Sequence, residues 1–235
     1  MYNESKIQAL ENISFNINNK GSLGLIGVTG SGKTTLLRLI TRSFNIDSGN
    51  ILIDDKNISD FDIESLRKQI GIVPQDSFLF SDSIINNIRF GNEKASIKEI
   101  KQICKIAGIH KEIIKFKDGY ETILGERGVN LSGGQKQRIC IARALIKNPK
   151  ILILDDCLSA LDTETEKEIL QSLKKYIINT TTIISSHRLS SVQNLNEIIV
   201  FKDGKIIQKG NHEKLIKQKG YYKELFSKQL TKKDD

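Results

Sequence analysis

The sequence predicts an α/β fold with a mostly parallel sheet, a small antiparallel β part and an inserted α-helical subdomain. Short apolar segments alternate with segments whose apolar residues recur at helical spacing, which is typical of strand–helix–strand units. Over residues 81–119 the pattern becomes helical, and no segment there reads as a convincing strand. Near the C-terminus, the pair Asp203-Gly204 divides the apolar segment 197–210 and predicts a β-hairpin.

The individual elements follow from the spacing of apolar residues and from turn residues. We predict strands at 22–28, 50–58, 68–75, 150–156 and 181–187, the second of them ending in a turn. We predict helices at 33–44, 132–147 and 163–177, and two short helices that close the chain. Together these elements predict one domain over residues 1–235, in which residues 76–135 approximate the helical subdomain.

Composition excludes several classes of protein. No apolar run approaches the roughly 20 residues that a membrane helix needs. The three cysteines are widely spaced and fit no zinc or disulfide framework, which indicates a reducing environment. The formal charge of +8 suggests a nucleic-acid partner, but Lys and Arg are interleaved with acids as on solvated faces. An anionic membrane surface is also compatible with this charge.

Residues 27–34, GVTGSGKT, match the G-x-x-x-x-G-K-[ST] pattern of a P-loop and lie between a predicted strand and a predicted helix. Glycines let the backbone curl so that successive N–H groups point at phosphate oxygens, and the following helix adds its positive N-terminus. Lys33 supplies a charge for the β- and γ-phosphates, and the Thr34 hydroxyl can ligate Mg²⁺. The predicted nucleotide contacts are Gly27, Thr29, Gly30, Ser31, Gly32, Lys33, Thr34 and Thr35.

The segment ILILDDCLSALD, residues 151–162, predicts the metal side of the same site. Four apolar residues form a buried strand, so Asp155 emerges at its carboxyl end, where ligand sites of open α/β sheets lie. Asp155 is then the Walker-B aspartate of a P-loop NTPase and holds Mg²⁺ through water. The sequence therefore predicts ATP and Mg²⁺ as ligands.

A second anion site is predicted in the signature segment, LSGGQKQR at residues 131–138. Ser132, Gly133 and Gly134 place exposed amides and a hydroxyl at a helix N-terminus. One economical use of this second site is to grip the γ-phosphate of a nucleotide bound to another copy. With these motifs, the sequence is similar to the nucleotide-binding domain of an ABC transporter. In this family, two such domains pair head to tail around two ATP molecules.

The resemblance covers almost the whole chain and implies roles for further residues. Tyr2 matches the aromatic residue that stacks on adenine, and Gln75 resembles the glutamine that senses Mg²⁺ and the attacking water and contacts the membrane domain. Asp162, in the D-loop segment 159–162, is implied to communicate across the dimer and Gln135 to take part in the signature. His187 resembles the switch histidine that meets the γ-phosphate. LGERG at 124–128 and the C-terminal tail are similar to exporters, which implies a transmembrane-domain partner at the cytoplasmic face of the cell membrane.

Two departures from the family pattern qualify the resemblance. The strand that usually precedes the aromatic residue and the six-helix membrane domain are absent, so we expect an excised or separately encoded fragment of a half-transporter. Asp156 stands where the family has a catalytic Glu. Because Asp has one methylene group fewer, its carboxylate is withdrawn by one C–C bond, roughly 1.5 Å. Since a positioned general base contributes about 10²–10⁴ in rate, we expect slow hydrolysis at this chain's own site. Asymmetric exporters resemble this pattern, so we expect a heterodimer whose second nucleotide-binding domain supplies the Glu.

Other functions remain open at this stage. The chain could be a regulatory clamp that holds ATP, hardly hydrolyses it and supports a catalytic partner subunit. Related DNA-repair and chromosome-maintenance ATPases would use the positive charge. The spacing between Gln75 and the signature segment leaves no room for their coiled coil, and we expect no nucleic-acid binding. The transported substrate cannot be derived, because the residues that select it would lie in the membrane domain.

Overall fold

The computed structural model describes residues 8–231. The strands are β1 (Ser22–Gly27), β2 (Leu52–Ile53), β3 (Lys56–Asn57), β4 (Ile70–Val73), β5 (Ile151–Asp155), β6 (Thr181–Ser185), β7 (Glu197–Lys202) and β8 (Lys205–Gly210). The α-helices are α1 (Lys33–Ile40), α2 (Ile63–Gln69), α3 (Ile84–Arg89), α4 (Ile97–Ile106), α5 (His110–Ile113), α6 (Gly133–Leu145), α7 (Thr163–Ile177), α8 (His212–Lys217) and α9 (Tyr221–Thr231).

One six-stranded sheet organises the molecule, with the strand order β4-β5-β6-β1-β7-β8. All neighbouring pairs from β4 to β7 are parallel, and β8 runs antiparallel to β7. A separate two-stranded antiparallel sheet consists of β2 and β3. The predicted fold class, a mostly parallel sheet with a small antiparallel part and added helices, is therefore confirmed.

The parallel strands β1, β5, β6 and β7 are buried on both faces, which explains why they read as continuous apolar runs, whereas Ile72 of the edge strand β4 is exposed. Successive side chains of a strand point to opposite faces of the sheet. In β5, Leu152 and Leu154 belong to the larger apolar cluster, whereas Ile153 belongs to the smaller one on the other face. Helices α3 to α9 contribute buried side chains to the larger cluster, and α1 and α2 contribute to the smaller.

Between β4 and α6 the structure contains helices α3, α4 and α5, and the only strand-like pairing described there is an isolated bridge between Ser83 and Ile123. Ser96 begins α4 with a reciprocal capping box to Glu99, which satisfies amides that the helix leaves free. Ile100 and Cys104 of α4 are fully buried. The helical character predicted for this segment is thus present, although its outer limits as a subdomain stay a prediction.

Several boundaries differ from the sequence prediction. Helix α1 ends at Ile40 rather than at residue 44, because Arg42 takes a left-handed conformation with φ of 48°. The segment 50–58 folds as the short pair β2 and β3 around Asp54 and Asp55, which both have positive φ. The predicted strand 68–75 is shorter, because its first two residues end helix α2. The sequence does not predict α2, because a seven-residue helix is too short to show a clear period. The helix is capped by the Asp62 carboxylate, which accepts from the Ser65 N–H at 2.8 Å.

The hairpin prediction at the C-terminal edge is confirmed. Asp203 and Gly204, with φ of 49° and 73°, connect β7 and β8. Two positive φ values in a two-residue connection match the turn that suits the twist of a hairpin. Gly204 also contacts the N-terminal segment, because its carbonyl accepts from the Glu11 N–H at 2.9 Å.

Within residues 8–231, none of the helices combines the length and apolar character that a membrane span requires.

Helix α7 supplies a test of the core, because Leu173 is fully buried on its inner face. We expect Leu173→Ala to lower the free energy of unfolding by about 2–5 kcal/mol, since it removes buried methyl groups and leaves a cavity. Ser172→Ala, at the exposed neighbouring position, should change stability by less than about 0.5 kcal/mol. Urea unfolding followed by circular dichroism measures both, and equal midpoints for the two variants would contradict this packing.

Candidate functional site

The glycine loop predicted to bind phosphate connects β1 to α1. A Cβ at Gly27 would lie 2.4 Å from the carbonyl oxygen of Phe201 in β7, so the strand end tolerates only glycine. Gly30 and Gly32 have φ of 81° and 107°, in the region that favours glycine. Residues 28–30 are exposed, and the loop therefore presents its backbone to a ligand from solvent.

Lys33 lies beneath this loop at the first position of α1, and it is only 6% exposed. Its ammonium donates to the carbonyl oxygens of Gly27 at 2.7 Å and Val28 at 3.0 Å. Burial lowers the pKa of Lys33, and the nearby carboxylates of Asp156 and Asp155 oppose that shift. The structure thus brings a buried cation to the loop and to the acidic end of β5, as the motif predicts.

Asp155 and Asp156 are both buried at the carboxyl end of β5. Asp156 takes a left-handed conformation with φ of 45°, and its N–H donates to the carbonyl of Ser185 at 2.9 Å. Burial raises the pKa of Asp156, whereas His187 and Lys33 act against the rise. Because the 155–156 peptide turns sharply here, the two neighbouring carboxylates occupy distinct places at the strand end.

His187 follows β6 and lies beside Asp156, with 3.7 Å between His187 Nε2 and Asp156 Oδ2. The imidazole is 40% exposed, whereas the Asp156 side chain is 10% exposed. The two residues predicted to act on the attacking water and the γ-phosphate are therefore neighbours. Their proximity arises because β5 and β6 are parallel and adjacent, which makes their carboxyl ends meet.

A magnesium ion at this edge would draw ligands from more than one strand. Val73 of β4 is paired with Leu154 of β5, so Gln75 and Asp155 follow neighbouring strand ends. A hydroxyl from Thr34, an amide oxygen from Gln75 and a carboxylate from Asp155 are oxygen ligands of the kind Mg²⁺ takes. No cluster of three or more His, Cys, Asp or Glu residues suitable for a metal occurs within 8–231. The donor set fits a site completed by phosphate and water oxygens.

The signature segment begins helix α6 as predicted. Ser132 is the N-cap: its hydroxyl accepts from the Gln135 N–H at 3.2 Å, and the Gln135 side chain accepts from the Ser132 N–H at 2.9 Å. Gln135 also donates to Glu112 at 2.8 Å, so its side chain is held within this chain. Ser132 and Gly133 are exposed, which leaves the helix N-terminus open to a partner molecule.

The D-loop segment 159–162 lies against the signature segment. A Cβ at Gly134 would lie 2.9 Å from Leu161 Cδ2, so glycine allows the two segments to pack closely. Asp162 caps α7, and its carboxylate accepts from the Thr165 N–H at 2.9 Å. Hydrogen bonds from the backbone and side chain of Thr165 lower the pKa of Asp162. Within this chain Asp162 therefore serves as a helix cap, and its role across a dimer stays a prediction.

Sequence reasoning missed two residues that fix the loop after β6. Arg188 donates to the D-loop carbonyls of Leu161 at 3.0 Å and Ser159 at 3.1 Å. Arg188 also pairs with Glu166 at 2.6 Å, and Glu166 is only 1% exposed. Glu166 lies on the first turn of α7, and its burial depends on tertiary contacts rather than on any sequence pattern. Tyr2, predicted to stack on adenine, lies outside the described residues.

The glycine loop, the buried lysine and the acidic strand end define a P-loop nucleotide-binding site. Residues 10–159, more than half of the chain, match the family model described as ABC transporter. The chain therefore belongs to the ABC transporter family. It is an ATP-binding domain of the exporter type, and domains of this kind are ATPases.

Curated relatives and solved structures agree with this assignment. The chain is 53% identical over 229 residues to "Multidrug resistance-like ATP-binding protein MdlA" of Buchnera aphidicola subsp. Schizaphis graminum, covering 97% of this chain and 39% of that protein. It is 47% identical to "ATP-binding cassette sub-family B member 6" of Xenopus tropicalis, covering 95% and 26%. A solved bacterial Atm1-family ABC exporter with ATP bound superposes with a TM-score of 0.91 at 41% identity, covering 94% and 39%. The chain thus spans about two fifths or less of these proteins.

Gly27 provides a test of the loop geometry. We expect Gly27→Ala to raise the Kd for ATP by at least about tenfold, since the new methyl group meets backbone of β7 and displaces the loop from its binding geometry. Gly49→Ala is the control: Gly49 also has positive φ, 83°, but a Cβ there has no neighbour within 4 Å. The control should cost about 1–2 kcal/mol in stability and leave ATP affinity unchanged. Titration with a fluorescent ATP analogue measures the Kd of both variants, and similar values for the two would refute the expected effect.

Proposed function

We propose that this chain is the motor domain of an ABC exporter and drives export by head-to-tail dimerisation around ATP. The observation that carries the proposal is that one chain has two separate segments suited to phosphate, each at the N-terminus of a helix. The loop at 27–34 can hold a complete triphosphate with its metal ion, whereas the open N-terminus of α6 offers amides and a hydroxyl and follows no acidic strand end. The second element is useful when it completes the site of another domain. The partner is a second nucleotide-binding domain, and the dimer works at the cytoplasmic face of the cell membrane.

The residues at the loop divide the chemistry between them. The amides of residues 28–32 and the N-terminus of α1 bind the phosphates, and Lys33 brings its charge to the β- and γ-phosphates. Mg²⁺, when bound to Thr34, Gln75 and Asp155, would neutralise charge that develops on the phosphate oxygens. Asp156 and His187 face each other at 3.7 Å, where they can orient the attacking water and meet the γ-phosphate.

The short carboxylate of Asp156 supports slow hydrolysis at this chain's own site. Its backbone is fixed in the left-handed region and its side chain is buried, so a small shift of the main chain cannot compensate for the missing methylene group. Nucleotide binding would depend on the glycine loop, Lys33 and Asp155, which do not involve the shortened carboxylate. We therefore infer a heterodimer in which the partner domain carries Glu after its own Walker-B aspartate.

Asp156→Glu tests this inference directly. We expect the substitution to raise kcat for ATP by about tenfold or more, because the longer carboxylate reaches the position of a general base. Asp156→Asn is the control: it keeps the size of the side chain but removes the base, and it should not raise the rate. Steady-state phosphate release measures both variants, and a wild-type rate equal to that of Asp156→Glu would rule out the degenerate site.

Head-to-tail pairing can be tested with two complementary variants in the Asp156→Glu background. Lys33→Ala removes the cation of the P-loop, whereas Ser132→Arg obstructs the signature segment. Each variant alone should hydrolyse little ATP, because every site then lacks one half. A one-to-one mixture should recover about a quarter of the parent activity, since half of the random pairs are mixed and each contains one intact site. Doubling the concentration of either variant alone is the control, and no recovery in the mixture would contradict the pairing.

An exposed aromatic surface beside Gln75 supports docking of a membrane domain. It consists of Phe78, Phe80 and Phe90, and Phe90 is 67% exposed. The three rings pack in series, with centroids 5.2 Å and 4.7 Å apart. Exposed aromatic clusters are typical of interaction sites. We propose that the transmembrane domain of the exporter binds here, adjacent to the residue that follows β4.

A second candidate function is a regulatory clamp that holds ATP and supports a catalytic partner. Asp156 favours this alternative for the chain's own site, whereas Lys33, Gln75 and His187 favour hydrolysis. A single-turnover experiment, in which the ATP bound to this chain is followed over time, separates the two functions. A motor domain hydrolyses its bound ATP, whereas a clamp retains it intact.

We expect no shift of duplex DNA in a gel at physiological salt, because the proposed dimer contacts nucleotide and membrane domain only.

A further inference from the structure

The C-terminal helix α9 reaches the loop that carries His187. The side-chain amide of Gln229 donates to the carbonyl oxygen of His187 at 2.9 Å, and its oxygen accepts from the Leu189 N–H at 3.0 Å. One side chain therefore binds the main chain on both sides of Arg188. The contact joins residues about forty positions apart, and the family motifs in the sequence do not include it.

Helix α9 is anchored independently of this contact. Tyr222 is fully buried, its N–H donates to the Gln208 side chain at 3.0 Å, and its hydroxyl pairs with His212 Nδ1 at 2.8 Å. Leu225 and Phe226 pack against the larger apolar cluster. These contacts fix the helix on β8 and α8, so Gln229 extends from a rigid support rather than from a free end.

The loop after β6 is held on its other side by Arg188. The guanidinium is bound by Glu166 and by the D-loop carbonyls described above, and Glu166 also accepts from Ser190 at 3.0 Å. The main chain at 187 and 189 is thus fixed by α9, and the side chain at 188 is fixed by α7. The imidazole of His187 remains half-exposed beside Asp156 with its backbone immobilised.

We propose that Gln229 is a positioning residue for His187. By fixing the main chain on both sides of Arg188, it keeps the imidazole at the distance from Asp156 at which both can act on the γ-phosphate and water. The physical reason is that displacement of a catalytic group by about 1 Å can cost up to about 10²-fold in rate. This inference rests on the proposed role of His187 in hydrolysis.

Gln229→Met tests the proposal in the 235-residue chain. Methionine keeps the length and helix propensity of glutamine but removes both hydrogen bonds. We expect kcat for hydrolysis of γ-labelled ATP, measured at steady state, to fall by about tenfold, while the KM for ATP changes by less than about twofold. Hydrogen exchange at the Leu189 amide should become faster, because that amide loses its acceptor. Lys228→Met, at the exposed neighbouring position, introduces the same side chain and should leave all three quantities unchanged.

A double-mutant cycle with His187→Ala separates positioning from a purely structural role. If Gln229 acts through His187, Gln229→Met has no further effect on the residual rate of the His187→Ala chain. An equal loss in both backgrounds, or a kcat within about twofold of wild type for Gln229→Met, overturns the proposal. If His187→Ala itself leaves the rate unchanged, the proposed catalytic role of His187 fails and this inference fails with it. If His187→Ala lowers the hydrolysis rate and Gln229→Met does not, only the positioning role of Gln229 is overturned.

Discussion

The parallel register of β1, β5 and β6 is the constraint on which the rest of the site depends. Ser185 of β6 is paired with Leu25 of β1 on one side and with Asp155 of β5 on the other. The next residue, Ser186, donates its N–H to the carbonyl of Leu25 at 3.1 Å. The glycine loop, the acidic pair and the loop of His187 therefore leave the sheet at one edge, and β4 adds Gln75 to the same edge. Burial of both sheet faces keeps this register fixed.

The charges at that edge are partly removed from water and depend on each other. The Lys33 ammonium is satisfied by two loop carbonyls and lies near Asp155 and Asp156, which offsets the cost of its burial. Desolvation destabilises the charged form of Asp156, and the positive charges of Lys33 and His187 partly offset this destabilisation. Because Lys33 and Asp156 each interact with more than one neighbouring charge, loss of one charge alters the others. Rate effects at this edge will accordingly be non-additive.

The sequence carried enough information to predict the fold class and the ABC transporter family. Both depend on local patterns: apolar strands, the glycine loop, the acidic strand end and the turn at Asp203-Gly204. Helix α2 was missed because seven residues do not establish a period, and the early end of α1 depends on a positive φ at Arg42. The contacts of Arg188, Glu166 and Gln229 could not be predicted, since each joins residues 22 or more positions apart. Such pairs are determined by packing of whole helices on the sheet.

The D-loop lies between the signature segment and the loop that carries His187. On one side, Gly134 of the signature segment packs so closely against Leu161 that a Cβ would lie 2.9 Å from the leucine methyl group. On the other side, Arg188 holds the carbonyls of Ser159 and Leu161 and belongs to the loop of His187. A nucleotide bound at the N-terminus of α6 would therefore act on a segment whose far side is bound by Arg188, the residue next to His187. Since buried Glu166 anchors Arg188, the D-loop cannot move far without disturbing the position of His187. This continuous set of contacts gives the proposed dimer a physical route by which one nucleotide site can influence the other.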